Sequence, residues 1–204
     1  MKIFCIGRNY AEHAKELGNV IPTEPLIFMK PPTALLKPRC DFYLPDFSEN
    51  VQHELELVLR ICKNGKHIAP KFAHKYYDQI TVGIDFTARD LQNKLKDKGS
   101  PWEIAKGFDG SAPTGEFIPL ADARDDAGNI SFSMFKNDVL VQKGNTMDLI
   151  FGFDVLVCYL SRFFTLQQGD LIFTGTPEGV SKVAQGDVLR AQIGERELLV
   201  CKVR

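Results

Sequence analysis

The segment Val51 to Cys62 (VQHELELVLRIC) constrains the fold more than any other. Leu55, Leu57, Leu59 and Ile61 alternate strictly, the period of a half-buried strand, so Glu54 and Glu56 project side by side from the opposite face. At i and i+2 on a strand the Cα atoms lie about 6.5–7 Å apart, close enough for two carboxylates to converge on one hard divalent ion. Asp85 is a candidate third ligand. It follows the apolar run Ile80 to Ile84 and precedes Thr87 and Ala88, where a helical pattern begins, so it sits at the mouth of a strand. The same alternation also describes the solvated face of an amphipathic strand, so the spacing permits a metal site without establishing one.

With 204 residues, 44% hydrophobic and 10% aromatic, the chain can bury a substantial core and reads as one domain, residues 1–204. Its 25 basic and 26 acidic side chains give a net charge of -1, with no run of lysines or arginines, which argues against nucleic-acid binding. Five widely spaced cysteines (Cys5, Cys40, Cys62, Cys158 and Cys201) include no C-x-x-C pair, so neither a disulfide framework nor a zinc knuckle is expected. All but Cys40 lie in apolar runs and read as buried, inert thiols. A reducing compartment, hence a cytoplasmic location, fits best. The amino terminus MKIFCIGRNY is too short in apolar residues for a signal peptide, and Met147 to Phe164 carries Asp148, Asp154 and Arg162, so no membrane span is expected.

Along the chain, a strand at Lys2 to Ile6 leads through Gly7 to a helix around Tyr10 to Leu17, closed by Gly18 and Asn19. Six prolines between Pro22 and Pro45 break the next region into short pieces, with LIFMK (Leu26 to Lys30) the best strand. Gln79 to Phe86 reads as a strand and Ala88 to Gly99 as a helix. Ile130 to Lys136 and Val139 to Lys143 form a hairpin turning at Asn137 and Asp138, two residues that tolerate positive φ. A helix over Met147 to Phe164 follows, then strands near Leu171 to Phe173, Val188 to Ile193 and Glu197 to Val203. Short strands outnumber helices without βαβ alternation, which predicts an α+β fold with a β-rich core.

Several catalytic signatures are excluded by reading. His53 and Glu54 begin like H-E-x-x-H, but position 57 is leucine, and the dinucleotide, P-loop and G-x-S-x-G motifs are missing. His13 and Glu16, i and i+3 on a helix, make a carboxylate–imidazole pair able to activate water, or else a solvated surface pair. His67 and His74 read as surface residues. Arg89 and Gln92 face the same way at the start of the helix after Asp85, with Lys106 just beyond; the alternative is an ordinary charged surface. GDLIFTGTPEGV (Gly169 to Val180) runs from a strand into a glycine-bounded turn, whose N–H groups and Thr176 hydroxyl suit a carboxylate, or which is simply a tight turn.

Five segments in this order, GRNYAEHAKE (Gly7 to Glu16), HELEL (His53 to Leu57), DFTARDLQ (Asp85 to Gln92), PWEIAKGFD (Pro101 to Asp109) and GDLIFTGTPEGV, resemble the motifs of the fumarylacetoacetate hydrolase family in its short single-domain form. The resemblance implies a mixed β-sandwich roll, a homodimer, and one Mg²⁺ or Mn²⁺ on the positions matching Glu54, Glu56 and Asp85. It makes His13 and Glu16 a water-activating dyad on a lid spanning about residues 1–25. It places Lys106 and Gln92 among the catalytic groups and Arg8, Arg89 and Thr176 among the substrate contacts. Val180, Ser181 and Lys182 depart from the further glycine and proline of many relatives.

The closest likeness is to acylpyruvate hydrolases, some of which decarboxylate oxaloacetate. The implied activity is metal-dependent C–C cleavage of a 3-acylpyruvate to pyruvate and a carboxylate, with oxaloacetate decarboxylation or 2-oxo-acid tautomerisation as alternatives through a common enolate. In each case the ligand is a small acylpyruvate or 2-oxo dicarboxylate. A catalytically silent metal-binding dimer is the non-enzyme alternative, and the presence of both His13 and Glu16 argues against it.

Overall fold

The computed structural model describes residues 1–11, 22–38 and 40–204. The fold is mixed α+β, built largely of short strands. In chain order these are β1 (Ile3–Gly7), β2 (Leu26–Lys30), β3 (Leu35–Leu36), β4 (Val51–His53), β5 (Leu55–Ile61), β6 (Tyr77–Ile84) and β7 (Thr87–Ala88). There follow β8 (Ala112–Pro113), β9 (Ile118–Pro119), β10 (Ser131–Lys136), β11 (Val139–Asn145), β12 (Leu171–Phe173), β13 (Ser181–Lys182), β14 (Val188–Ile193) and β15 (Arg196–Lys202). Helices α1 (Arg89–Asp97), α2 (Glu103–Lys106) and α3 (Phe153–Phe163) lie between them.

A six-stranded sheet in the order β2-β1-β12-β5-β6-β9 forms the centre, with β1 and β12 parallel and its other pairs antiparallel. The alternating Leu55, Leu57, Leu59 and Ile61 of β5 enter the main core with Phe132, Met134, Leu189 and Ala191 of an antiparallel sheet, β11-β10-β14-β15. The other face of β5 is covered too. Val58 packs there with Ile3, Cys5, Leu171 and Phe173 in a second core. The half-buried strand expected from the alternation is therefore corrected to one buried on both sides, and a solvated face for the glutamates is ruled out: Glu54 is 6% and Glu56 2% exposed.

The strand is also interrupted where the pattern ran through. β4 belongs to a separate sheet, β13-β4-β7, so the chain changes sheets at Glu54, whose carbonyl accepts the Asp85 N–H at 2.8 Å. This break joins the two strand ends that carry the carboxylates. The hairpin turns at Asn137 and Asp138 with φ of 51° and 65°, as their tolerance of the left-handed region predicts.

The expected helix from Met147 is shorter, beginning at Phe153. The Asn145 side chain caps Met147 N, and Asn9 ties down Ile150 and Phe151, which holds that stretch outside the helix. Cys5 and Cys201 are buried, whereas Cys62 and Cys158 are only half-buried, against expectation. Residues 3–7 are an interior strand of the central sheet, so a lid starting at residue 1 is corrected: any such element begins after Gly7. Most of the expected first helix, its cap at Gly18 and Asn19, and both His13 and Glu16 lie outside the described residues. Among the described residues no helix is long and apolar enough to cross a membrane.

Candidate active site

The end of β6, the start of β5 and the turn after β12 meet at one cleft. Ligand atoms of Glu54, Glu56 and Asp85 lie within 4.8 Å of one another there, all three side chains buried. The chain reaches this arrangement through backbone pairing. Glu56 is opposite Gly83 on β6, Asp85 follows β6 directly, and Gly175 N donates to Glu56 Oε2 at 2.6 Å. Gly175 has φ of 104°, and a Cβ there would fall 2.6 Å from the Asn9 Cβ, so the close approach of the turn requires glycine. Asn9 in turn is held by its amide to Thr174 O at 2.8 Å and Phe151 O at 3.0 Å.

Three buried cations surround the carboxylates. Lys106 Nζ is 2.8 Å from Glu54 Oε2 and 2.7 Å from Asp85 Oδ2, Arg89 pairs with Glu54 Oε1, and Lys30 Nζ is 2.8 Å from Asp85 Oδ1. The Lys30 contact is an ion pair outside hydrogen-bond alignment, and among the described residues Asp85 Oδ1 finds no hydrogen-bond donor despite being buried. Burial alone would push the Lys106 ammonium down, but Asp85 and Glu54 together outweigh it and hold it above the ordinary lysine value. Glu56 is driven the other way from a normal carboxylate. Burial, reinforced by Asp85, raises it well above its usual range, with only Gly175 N–H opposing strongly. Three buried carboxylates, one with an open lone pair and one short of positive charge, form an all-oxygen donor set that fits a hard divalent cation.

Arg89, Gln92 and Lys106, each open to a reading as ordinary surface, are all buried. Arg89 Nη1 donates to Gln92 Oε1 at 2.6 Å and Nε to Gln52 Oε1 at 2.8 Å, and Gln92 lines the cleft. Arg8 and Thr176 line the same cleft.

Thr176 is positioned by a residue that sequence reasoning missed. Gln142 of β11 accepts from Leu55 N at 2.9 Å through Oε1, and its amide donates to Thr176 Oγ1 at 2.9 Å and Pro177 O at 3.0 Å. The same Oε1 lies 2.9 Å from His53 Nδ1, so that nitrogen carries the proton, and Nε2 accepts from the Ser181 hydroxyl at 2.7 Å. Burial pushes His53 down to about 4, keeping it neutral. Lys30 was also missed. The only signals were a lysine closing the apolar run LIFMK and a glutamine inside VLVQ, each identical in sequence to a common exposed residue.

The profile described as fumarylacetoacetate (FAA) hydrolase C-terminal matches residues 2–204, and the chain belongs to that family. It is 41% identical over 188 residues to oxaloacetate tautomerase YcgM of Escherichia coli (strain K12), covering 92% of this chain and 86% of that protein. It is 42% identical over 193 residues to the mitochondrial oxaloacetate decarboxylase of Dictyostelium discoideum, covering 94% and 88%. Among solved structures, fumarylpyruvate hydrolase from Pseudomonas aeruginosa in complex with Mn²⁺ and pyruvate superposes with a TM-score of 0.91 at 37% identity, covering 100% of this chain and 89% of that one.

Proposed function

We propose that this protein is a divalent-metal-dependent enzyme of small 2-oxo acids whose principal reaction is keto–enol tautomerisation of a short 2-oxo dicarboxylate such as oxaloacetate. The observation that carries this reading is the buried triad of Glu54, Glu56 and Asp85 with its open Asp85 lone pair, set among fixed cations. The names of relatives at about 40% identity support oxaloacetate as the substrate. Glu54, Glu56 and Asp85 would hold Mg²⁺ or Mn²⁺. When bound, such an ion supplies Lewis-acid polarisation of the 2-oxo group.

The chain's own residues do the rest. Tautomerisation moves a proton between C3 and the C2 oxygen, and negative charge builds on that oxygen on the way. Lys106, kept protonated by its carboxylate neighbours, supplies a fixed positive charge to meet it. Gln92 offers amide protons from a side chain locked by Arg89. Thr176 Oγ1 already accepts from Gln142, and among the described residues its own proton has no better acceptor than Pro177 O at 3.4 Å, so it can donate to the substrate carboxylate. These groups are preorganised before substrate arrives, which is where electrostatic catalysis gains most.

A second reading, hydrolysis of a 3-acylpyruvate, is favoured by the likeness to fumarylpyruvate hydrolase. It adds a demand for a base that activates water, a role we assign to His13 with Glu16. The homodimer and the cytoplasmic location belong to the same proposal, the first checked by sedimentation. The test is to strip the purified protein with chelator, reload it with Mg²⁺ or Mn²⁺, and follow decay of freshly dissolved enol-oxaloacetate by absorbance. Pyruvate release from oxaloacetate and from acetylpyruvate is measured alongside. No metal-dependent acceleration of any of the three would refute the reading.

A further inference from the structure

The cations at the cleft divide into two groups. Lys30, Lys106 and Arg89 are each engaged with Glu54 or Asp85. Arg8 and Lys96 line the same cleft, yet among the described residues neither has an ion pair or a side-chain hydrogen bond. Lys96 lies one turn beyond Gln92 and two beyond Arg89, so these three side chains share one face of α1. Its Nζ sits 5.4 Å from the centroid of the Trp102 ring, a shelf that holds the long side chain at the cleft. Arg8 follows β1 in the left-handed backbone region, φ 59°, a conformation that non-glycine residues rarely adopt.

Arg8 and Lys96 share this wall while the carboxylates beside them, Glu54 and Asp85, are already engaged by Lys30, Lys106 and Arg89, and this is a standing electrostatic cost. Burial first, then Arg89 and Arg8, push Lys96 down to about 8. A bound anion removes that cost. A monoanionic 2-oxo acid would use its one carboxylate at the Thr176 side and leave both cations unanswered.

We propose that Lys96, with Arg8, forms a second anion subsite that binds the far carboxylate of the substrate and makes the cleft selective for dianionic over monoanionic 2-oxo acids. This rests on the functional reading above and names the residues that select its dicarboxylate substrate. Trp102 is then a positioning residue that orients Lys96, and Lys96 contributes to affinity for dianions and not to the chemical step.

The test compares wild type, Lys96→Met and Lys96→Arg, all loaded with Mg²⁺. The methionine keeps the aliphatic stem on Trp102, and the site is half-exposed on a helix, so the fold is retained. Lys96→Met should raise KM for oxaloacetate by about 10- to 100-fold, the worth of one charge-assisted hydrogen bond, with kcat within about threefold. KM for acetylpyruvate should stay within about twofold, and Lys96→Arg should recover most of the loss. Equal losses on both substrates, or none on either, would overturn the subsite. If wild type turns over neither compound, the functional reading fails separately, and calorimetry still decides the subsite. Oxaloacetate must then bind wild type about tenfold or more tighter than pyruvate, with the difference abolished in Lys96→Met, and its persistence there refutes the proposal.

Discussion

Replacing Lys30 with methionine removes a buried charge without leaving a hole, because the two side chains have similar length and volume. Lys30 closes β2 fully inside the protein. Its Nζ lies 2.8 Å from Asp85 Oδ1, 3.0 Å from Ser111 Oγ, 3.2 Å from Ser111 O and 3.4 Å from Phe86 O, and also meets the Lys106 carbonyl. Breaking a buried pair by removing one partner costs about 3–5 kcal/mol, since the other charge is left without compensation. Asp85 keeps Lys106 at 2.7 Å on its other oxygen, which places the cost in the lower half of that range, about 3–4 kcal/mol. With an unfolding entropy of about 2.1 cal/mol/K per residue over 204 residues, that loss lowers Tm by about 7–9 °C. Calorimetric melts in chelator near neutral pH measure it. Asp85 without Lys30 should also bind a divalent cation more tightly, so the Mg²⁺-induced rise in Tm should be larger in the variant than in wild type. A variant melting within about 2 °C of wild type in chelator would refute the charge argument, and equal metal-induced rises would refute the shared role of Lys30 and a cation at Asp85.

Much of the fold was legible because local patterns carry it. The alternation in β5, the positive-φ pair at Asn137 and Asp138, and Gly99 after α1 each act within a few residues, and each appears where the pattern places it. What the pattern leaves open is the cover over each face. A period of two tells that Glu54 and Glu56 share a side, but that this side is buried depends on Asn9, Gly175 and the cations, which arrive from distant segments. The buried polar network was illegible for the same reason. Lys30 is defined by Asp85, 55 positions away, and Gln142 by His53 and Thr176, and no spacing rule links such partners. The convergence of Glu54, Glu56 and Asp85 was foreseeable as an option, while its choice over a solvated strand face came from tertiary packing. The late start of α3 has the same origin, since Asn9 holds Ile150 and Phe151 out of a helix that their own propensity allows.

Glu54→Gln, Glu56→Gln and Asp85→Asn should each lose most Mg²⁺ affinity in calorimetric titration, because a neutral amide replaces one of three anionic ligands; wild-type affinity in all three would mean the ion binds elsewhere. Gln142→Leu should raise KM by about tenfold with a smaller effect on kcat, as Thr176 and His53 lose their common partner, and unchanged kinetics would show that Thr176 needs no such support. For oxaloacetate, kcat/KM should fall as pH rises through about 8, because Lys96 is charged below that point and neutral above it. The charges that set this value are Arg89, Arg8, Glu54 and Lys106, and a Lys96→Arg enzyme should lose the step while a wild-type profile flat through this range refutes the assignment. Acylpyruvate cleavage and oxaloacetate decarboxylation, the two pyruvate-releasing activities to be measured, should finally separate at His13. Cleavage of an acylpyruvate needs a hydroxide delivered to the distal carbonyl, so His13→Ala should lower kcat for acetylpyruvate by about 10²- to 10⁴-fold, the usual contribution of a general base. Decarboxylation of oxaloacetate breaks its bond without attacking water and needs only polarisation of the 2-oxo group and Lys106. The same variant should therefore retain decarboxylation, and Mg²⁺ affinity, within a few-fold of wild type. Glu16→Ala should lose less cleavage than His13→Ala, and the double variant little more, because the carboxylate acts through the imidazole. Equal loss of both reactions would mean that His13 serves the common enolate step, and full retention of both would hand water activation to another group.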